Sequence, residues 1–440
     1  MTASTHYEHL IVGFGKAGKT LAVTLAKAGK SVALIEQSSD MYGGTCINIG
    51  CIPSKKLSFL SDKVDLAEAV AEKNQLTAKL NQANYKKVAD TCDVITGQAH
   101  FMDANTVQVK GDDGELTITA KQIYINTGAY NWQAPIDGLA ESKHIYDSTT
   151  LMQLTEKPKH LLIIGGGYIG LEFAFTMANF GSKVTILETG EVFLPREDEQ
   201  IRDCLVEIMK SKNIQVKTAQ KVEKVSDKNS TSIVKTQDGE IECDAVLVAT
   251  GRRANVEHLN LNKAGVKLND KGYIDVNEKL QTSQAHIYAM GDVAGSPQFT
   301  YISLDDFRVV KNQVLGDGKY TTKDRTFPYA VFTMPPLSNT GLTEAQAIKQ
   351  GYSVKTATLD AVNIPKAKIL QQTDGLLKAV IDVKTDKILG VQLLCAEAHE
   401  MINFADLAIR QGMTYQDVRD YIFTHPTMME SLNDLFGAVE

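Results

Sequence analysis

Cys46 and Cys51 lie five residues apart in "MYGGTCINIGCIPSK", residues 41–55, behind the pair Gly43-Gly44. Two thiols at this spacing can form a structural bridge, share a metal, or exchange electrons as a redox pair. On a regular helix five residues advance about 7.5 Å and turn about 140°, leaving the Cα atoms roughly 8–9 Å apart. A disulfide wants them within about 7 Å. Any bridge therefore needs a distorted or partly unwound segment, which Gly50 and Pro53 favour, and strained or exposed bridges are the labile ones. Structural zinc takes four ligands, usually from two close pairs, and no second Cys or His pair stands elsewhere at such a spacing. The other cysteines, Cys92, Cys204, Cys243 and Cys395, are scattered singly, unlike the framework of a small secreted domain. Redox exchange is the favoured reading, with no metal site expected.

The elements around the pair are those of a nucleotide-binding unit. In "HLIVGFGKAGKTLAVTLAKAGKSVALIEQ" an apolar strand runs into Gly13-x-Gly15-x-x-Gly18, a helical stretch follows, and a second strand ends at Glu36. Gly13 serves a tight turn, Gly15 lets the backbone approach a pyrophosphate, and Gly18 allows close helix-to-strand contact. The anion sits at the helix N-terminus, and the acid accepts from a ribose hydroxyl. One such motif can be a tight turn and nothing more. Here it recurs in "HLLIIGGGYIGLEFAFTMANFGSKVTILE", with Gly165, Gly167, Gly170 and Glu188. Gly13 to Glu36 and Gly165 to Glu188 span the same 23 positions, so two nucleotide sites are expected.

Each unit leads into a further strand, "IYINTGA" or "AVLVATG", past Asp-Gly pairs that read as hairpin turns in "KGDDGELTI" and "TQDGEIE". Residues 60–90 read as a solvated helix with one packed face and no chemistry. A third strand, "HIYAMGD", ends in Gly291-Asp292, a carboxylate for the edge of a sheet. Polar, turn-prone composition marks a boundary near residue 325. Beyond it, "LLKAVIDVKTDKILGVQLL" reads as an antiparallel hairpin and "HEMINFADLAIRQGM" as an amphipathic helix.

A chain of 440 residues has room for two to four domains. The net charge of −7 and pI near 5.8 leave no basic surplus for nucleic acid or an anionic membrane. The start has no basic, apolar leader, and no later stretch approaches about 18 apolar residues. A cytoplasmic protein with neither nucleic acid nor membrane as partner is expected. Near the end, "HPTMMESLNDLF" carries Thr427-x-x-Glu430, a capping box for a following helix, and His425, a residue type that suits a general base for a thiol.

With "GFGKAG", "GGTCINIGCIPSK", "GGGYIGLEFA", "VLVATGR", "AMGD" and "HPTMME" in this order, the chain resembles, over essentially its full length, the flavin-dependent pyridine nucleotide-disulfide oxidoreductases. These include glutathione reductase, lipoamide dehydrogenase and mercuric reductase. The resemblance implies an α/β fold with two Rossmann-like dinucleotide-binding domains, for FAD and NAD(P), and a C-terminal α+β dimerisation domain. The expected boundaries are 1–148 and 271–325 for FAD, 149–270 for NAD(P), and 326–440 for dimerisation. It implies that Gly13, Gly15, Gly18, Glu36, Gly44, Thr45, Lys55, Thr127, Gly128 and Asp292 bind FAD. Gly165, Gly167, Gly170, Glu188 and Gly251 bind NAD(P). Cys51 is then the thiol facing the flavin and Cys46 the outer interchange thiol, with Lys55 and Glu172 an ion pair where hydride arrives. His425, oriented by Glu430, is the acid/base for Cys46 of the second subunit of a homodimer.

Departures from the family narrow the substrate. The end "NDLFGAVE" has no cysteines to hand on mercuric ion, and the start at Met1 leaves no room for an accessory domain. Stretches such as "FLPRED", "QFTYISLDD" and "SLNDLF" resemble the bacterial reactive-chlorine-resistance flavoproteins and relatives described as hypothiocyanous acid reductases. That implies a small-molecule oxidant, with hypothiocyanous acid first. Cys46 attacks the electrophilic sulfur, thiocyanate is released and Cys51 resolves the adduct to the disulfide. Alternatives are a lipoamide dehydrogenase-like or general disulfide reductase, a Cu(II) reductase, and, in another class, an FAD-binding redox sensor without turnover. Glu188 suits a free 2′-hydroxyl, so NADH is expected ahead of NADPH.

Overall fold

The computed structural model describes residues 4–112 and 114–440, which form two compact units. The first comprises residues up to 134, 147–155 and 250–325. Its elements begin β1 (Ser4–Val12), α1 (Lys16–Lys27), β2 (Val32–Glu36), α2 (Thr45–Asn48), α3 (Cys51–Leu60) and α4 (Leu66–Ala89). Four strands follow: β3 (Asp93–Thr96), β4 (Gln98–Phe101), β5 (Thr106–Gly111) and β6 (Gly114–Ile125). The sheet order is β3-β2-β1-β6-β5-β4. Strands β3, β2, β1 and β6 run parallel, and β5 and β4 extend the edge antiparallel. Residues Ile287–Ala289 return to pair with Ile123–Ile125 of β6.

The parallel strands read as continuous apolar runs because both faces are covered. Leu10 and Val12 pack on one side with Ala33 and Ile35. Ile11 and Leu34 pack on the other with Leu21 and Leu25 of α1 and Val309 and Val310 of the helix Thr300–Leu315. Helix α4 has the expected single packed face: Leu66, Ala69, Val70 and Lys73 are buried, at helical spacing, and the Asp65 side chain caps it by accepting the N–H of Glu68 at 2.9 Å. The Asp113-Gly114 turn expected between β5 and β6 begins on Asp113, outside the described residues.

The second unit comprises residues 135–146, 156–249 and 326–440. Its parallel sheet runs Ile214–Lys217, Lys183–Leu187, His160–Ile164, Ala245–Val248, Ile145–Tyr146. A three-stranded antiparallel sheet carries the "TQDGEIE" hairpin, with Thr236 paired to Gly239. The C-terminal part is a five-stranded antiparallel sheet in which Leu376–Asp382 pairs with Ile388–Leu394, backed by the helices Ala398–Arg410 and Ser431–Gly437. Buried Lys378 ties this sheet to the nucleotide-binding part: its ammonium lies 3.0 Å from Asp198, which caps the helix Glu199–Ser211, and 2.6 Å from Glu344.

The last stretch of the first unit runs from Thr250 to Arg325. Arg252–Ala254 forms an antiparallel pair with Ala129–Asn131, and Phe101 donates its N–H to the Leu259 carbonyl. These pairings are long-range, and local composition carries no trace of them.

Candidate active site

The helical segment carrying the two cysteines is broken between them. α2 ends at Asn48, Ile49 and Gly50 leave helical geometry, and α3 starts at Cys51. The break depends on a close approach. A Cβ on Gly50 would lie 2.9 Å from the Thr45 carbonyl oxygen and 3.3 Å from the Cys46 Cα, so a side chain there would push the two turns apart. Cys46 is half-buried and Cys51 exposed. The neighbouring Cys51 thiol, reinforced by burial, pushes the Cys46 thiol well above the ordinary thiol range. Cys51 Sγ also lies 3.4 Å from Thr300 Oγ1.

The loop leading into Cys46 is fixed by amides. Asn48 Nδ2 donates to the carbonyls of Tyr42 and Gly44, each at 3.0 Å. From α4, Asn81 donates to the Asn48 side chain at 3.2 Å and to the Ser39 and Asp40 carbonyls. The helix with no chemistry assigned to it is thus a buttress for the cysteine segment.

The two glycine motifs are built alike in three dimensions. Gly13 and Gly165 adopt φ of +103° and +108°, a region that favours glycine. The next residue in each, Phe14 or Gly166, donates its N–H to the distant acid, Glu36 or Glu188, at 3.0 Å. Gly15 and Gly167 cap α1 and the helix Tyr168–Asn179. A Cβ on Gly18 or Gly170 would lie 2.6 or 2.5 Å from the carbonyl oxygen of its own first glycine. The cap glycines bring no side chain to the helix start, which leaves that end to an anion. Each cradle therefore fits a dinucleotide pyrophosphate. Burial raises the pKa of Glu36, while the backbone N–H groups of Phe14 and Ser38 work against it.

Other predicted residues fall in supporting positions. Gly44 caps α2 and Thr45 begins it, while Lys55 on α3 donates to Ser54 Oγ at 3.3 Å. Thr127 Oγ1 donates to the Asn255 carbonyl, and the Gly128 carbonyl accepts the Asn255 N–H. Gly251 accepts the N–H of Trp132 and belongs to the first unit. Asp292 lies in the turn Gly291–Ala294, where burial raises its pKa and Arg252 opposes that. In the second unit, Glu172 accepts the Phe332 N–H at 3.0 Å.

His425, 72% exposed at its side chain, has Nδ1 2.9 Å from Glu430 Oε2, and the other Glu430 oxygen accepts the Thr427 N–H at 3.0 Å. The reciprocal Thr427–Glu430 bonds are present, but they close the turn before the helix Ser431–Gly437, whose cap residue is Glu430 itself. His425 above all, then Thr427, holds the Glu430 carboxyl below its usual range.

Asn126, Asp306 and Arg325 escaped sequence reasoning. Asn126 accepts the Gly18 N–H at 2.9 Å, donates to the Met290 carbonyl at 2.6 Å, and would meet a Cβ on Gly15 at 2.3 Å. Asp306, fully buried, accepts the Gly291 N–H at 2.7 Å and pairs with Arg325 at 2.8 Å, which shapes the turn carrying Asp292. None of the three follows a motif spacing.

Residues 7–306 match the pyridine nucleotide-disulphide oxidoreductase family, and residues 327–436 match its dimerisation domain. The chain belongs to this family. It is therefore an NAD(P)H-dependent flavoprotein oxidoreductase, and the family couples FAD to NAD(P)H. The chain is 48% identical over 438 residues, 99% of each chain, to the probable pyridine nucleotide-disulfide oxidoreductase RclA of Escherichia coli. It is 36% identical to a mercuric reductase of Staphylococcus aureus, across 97% of this chain and 81% of that one. The solved Cu(II) complex of the HOCl-induced flavoprotein disulfide reductase RclA from Escherichia coli superposes with a TM-score of 0.98 at 47% identity, covering 99% of this chain and all of that one. Among the described residues no helix is long and apolar enough to cross a membrane, and no group of three or more His, Cys, Asp or Glu side chains is placed to hold a metal ion.

Proposed function

We propose that this protein uses NADH to reduce a small electrophilic oxidant at Cys46, with hypothiocyanous acid as its first substrate. The observation that carries this reading is the thiol pair on either side of the Gly50 break, with Cys46 half-buried and Cys51 exposed. The Cys46 thiolate attacks the sulfur of hypothiocyanous acid, and hydroxide departs as water with a proton from His425 of a second copy of the chain. Cys51, its thiol proton released to solvent, then attacks the Cys46 sulfur, a Cys46–Cys51 disulfide forms, and thiocyanate leaves with the electron pair. When bound, FAD supplies passage of two electrons from the reduced nicotinamide to that disulfide. Glu430 holds the His425 ring through Nδ1, which leaves Nε2 for the proton.

NADH is preferred because Glu188, fixed by the N–H groups of Gly166 and Gly190 at 3.0 and 2.8 Å, places a negative charge where a 2′-phosphate would lie. The Cu(II) bound by the Escherichia coli relative supports a second reading in which cupric ion is the acceptor. The test is NADH oxidation by the FAD-loaded enzyme offered hypothiocyanous acid, lipoamide, oxidised glutathione or Cu(II). Preferred turnover of hypothiocyanous acid is expected. Brisk lipoamide turnover with none on hypothiocyanous acid would reverse the order, and no turnover with any acceptor would favour a redox sensor.

A further inference from the structure

Lys19, on the first turn of α1, reaches across to the cysteine segment. Its ammonium donates to the Gly43 carbonyl at 2.9 Å and to Asn84 Oδ1 at 2.7 Å. Gly43 lies three residues before Cys46, and Asn84 sits one turn beyond Asn81 on α4. The fit is tight: a Cβ on Gly43 would come 2.9 Å from Ile47 Cδ1 and 3.3 Å from the Asn84 Cβ. Burial, together with Lys16 on the same helix and Lys87 on α4, brings the Lys19 pKa down to about 8, and Cys46 acts in the opposite direction. Seen from Cys46, the Cys51 thiol and burial oppose the thiolate, whereas Thr300 and Lys19 favour it.

We propose that Lys19 is a positioning residue for the outer thiol: it clamps the loop ahead of Cys46 and brings its positive charge to bear on that sulfur. This rests on the reading of Cys46 as the thiol that meets substrate. A half-buried cation that gives up hydration for one carbonyl and one amide oxygen carries a desolvation cost, and a neighbouring thiolate offsets it.

The test uses FAD-loaded enzyme in a Cys51→Ser background, where alkylation of Cys46 by iodoacetamide is followed against pH. Lys19→Met should move the midpoint up by about one pH unit, with roughly tenfold slower alkylation near neutrality, and Lys19→Arg should restore most of it. An unchanged midpoint in Lys19→Met with normal flavin content, or equal shifts in Lys19→Met and Lys19→Arg, would overturn the proposal. If Lys19→Met does not retain FAD, Asn84→Ala, which keeps the charge but loosens it, should shift the midpoint in the same direction, and no shift there overturns the proposal too. Separately, acceptor turnover by Cys46→Ser enzyme with Cys51 intact would sink the reading of Cys46 without altering the alkylation result.

Discussion

His425 and Glu430 are joined through Nδ1 and Oε2 at 2.9 Å, while the second oxygen of Glu430 is engaged by the Thr427 backbone. The carboxylate is anchored at one end and orients the ring at the other, so the imidazole is held although it is largely exposed. His425→Ala should lower acceptor turnover by about a hundredfold or more with FAD content intact. Glu430→Gln should cost less and shift the pH–rate profile, because the amide still bonds Thr427 but no longer stabilises the protonated ring. Steady-state NADH oxidation across pH measures both. Full turnover by His425→Ala would exclude the histidine as acid/base.

Gly50 makes a second prediction. A methyl group there meets backbone atoms of Thr45 and Cys46, which cannot yield as a flexible side chain can. Gly50→Ala should destabilise the protein by about 1–3 kcal/mol and slow closure of the Cys46–Cys51 bridge. Thermal melting and titration of free thiols after oxidation read the two effects separately.

The role proposed for Glu188 in the choice of nicotinamide cofactor makes a third prediction. Glu188→Gln retains an acceptor for the Gly166 N–H but removes the charge, so the NADPH-to-NADH ratio of kcat/KM should rise on the order of tenfold or more. A wild-type enzyme that already prefers NADPH would contradict the role given to this acid.

The glycines and their distant acids were readable in the chain because a tight turn, a cap and a ribose acceptor are local requirements at fixed spacing. The break at Gly50 was readable for the same reason: helix geometry forbids the bridge otherwise. Asn126 and Asp306 were not, since Gly18 meets Asn126 from 108 positions away and only the sheet order brings them together. Asn81 and Asn84 were hidden differently. On a polar helix an amide that faces water and one that holds the cysteine loop look the same in sequence.

Lys73 gives a prediction about stability. Its ammonium is buried, and among the described residues it makes one hydrogen bond, to the Met152 carbonyl at 2.8 Å. Burial draws its pKa down to about 8, against about 10.4 in an unfolded chain. The unfolded state therefore binds more protons between these values, and stability rises with pH across that window. Below about pH 8 the full penalty of burying the charge applies. Lys73→Met should thus be more stable than wild type by about 1–2 kcal/mol at pH 7, after the lost hydrogen bond is counted, and the gap should close toward pH 10. Urea denaturation of both FAD-loaded proteins at several pH values tests this, and a Met variant that is less stable throughout would refute it.

Strand β6 has implications for synthesis on the ribosome. Its first half is paired by β5 within a few residues, but the backbone of Ile123–Ile125 gains its partner on that side only from Ile287–Ala289. While the intervening residues are being made, a stretch of apolar strand edge stays open, the kind of surface that recruits other chains. The protein completes its first nucleotide-binding sheet after translating its second, which makes the return of residues 287–289 a late checkpoint in its biogenesis.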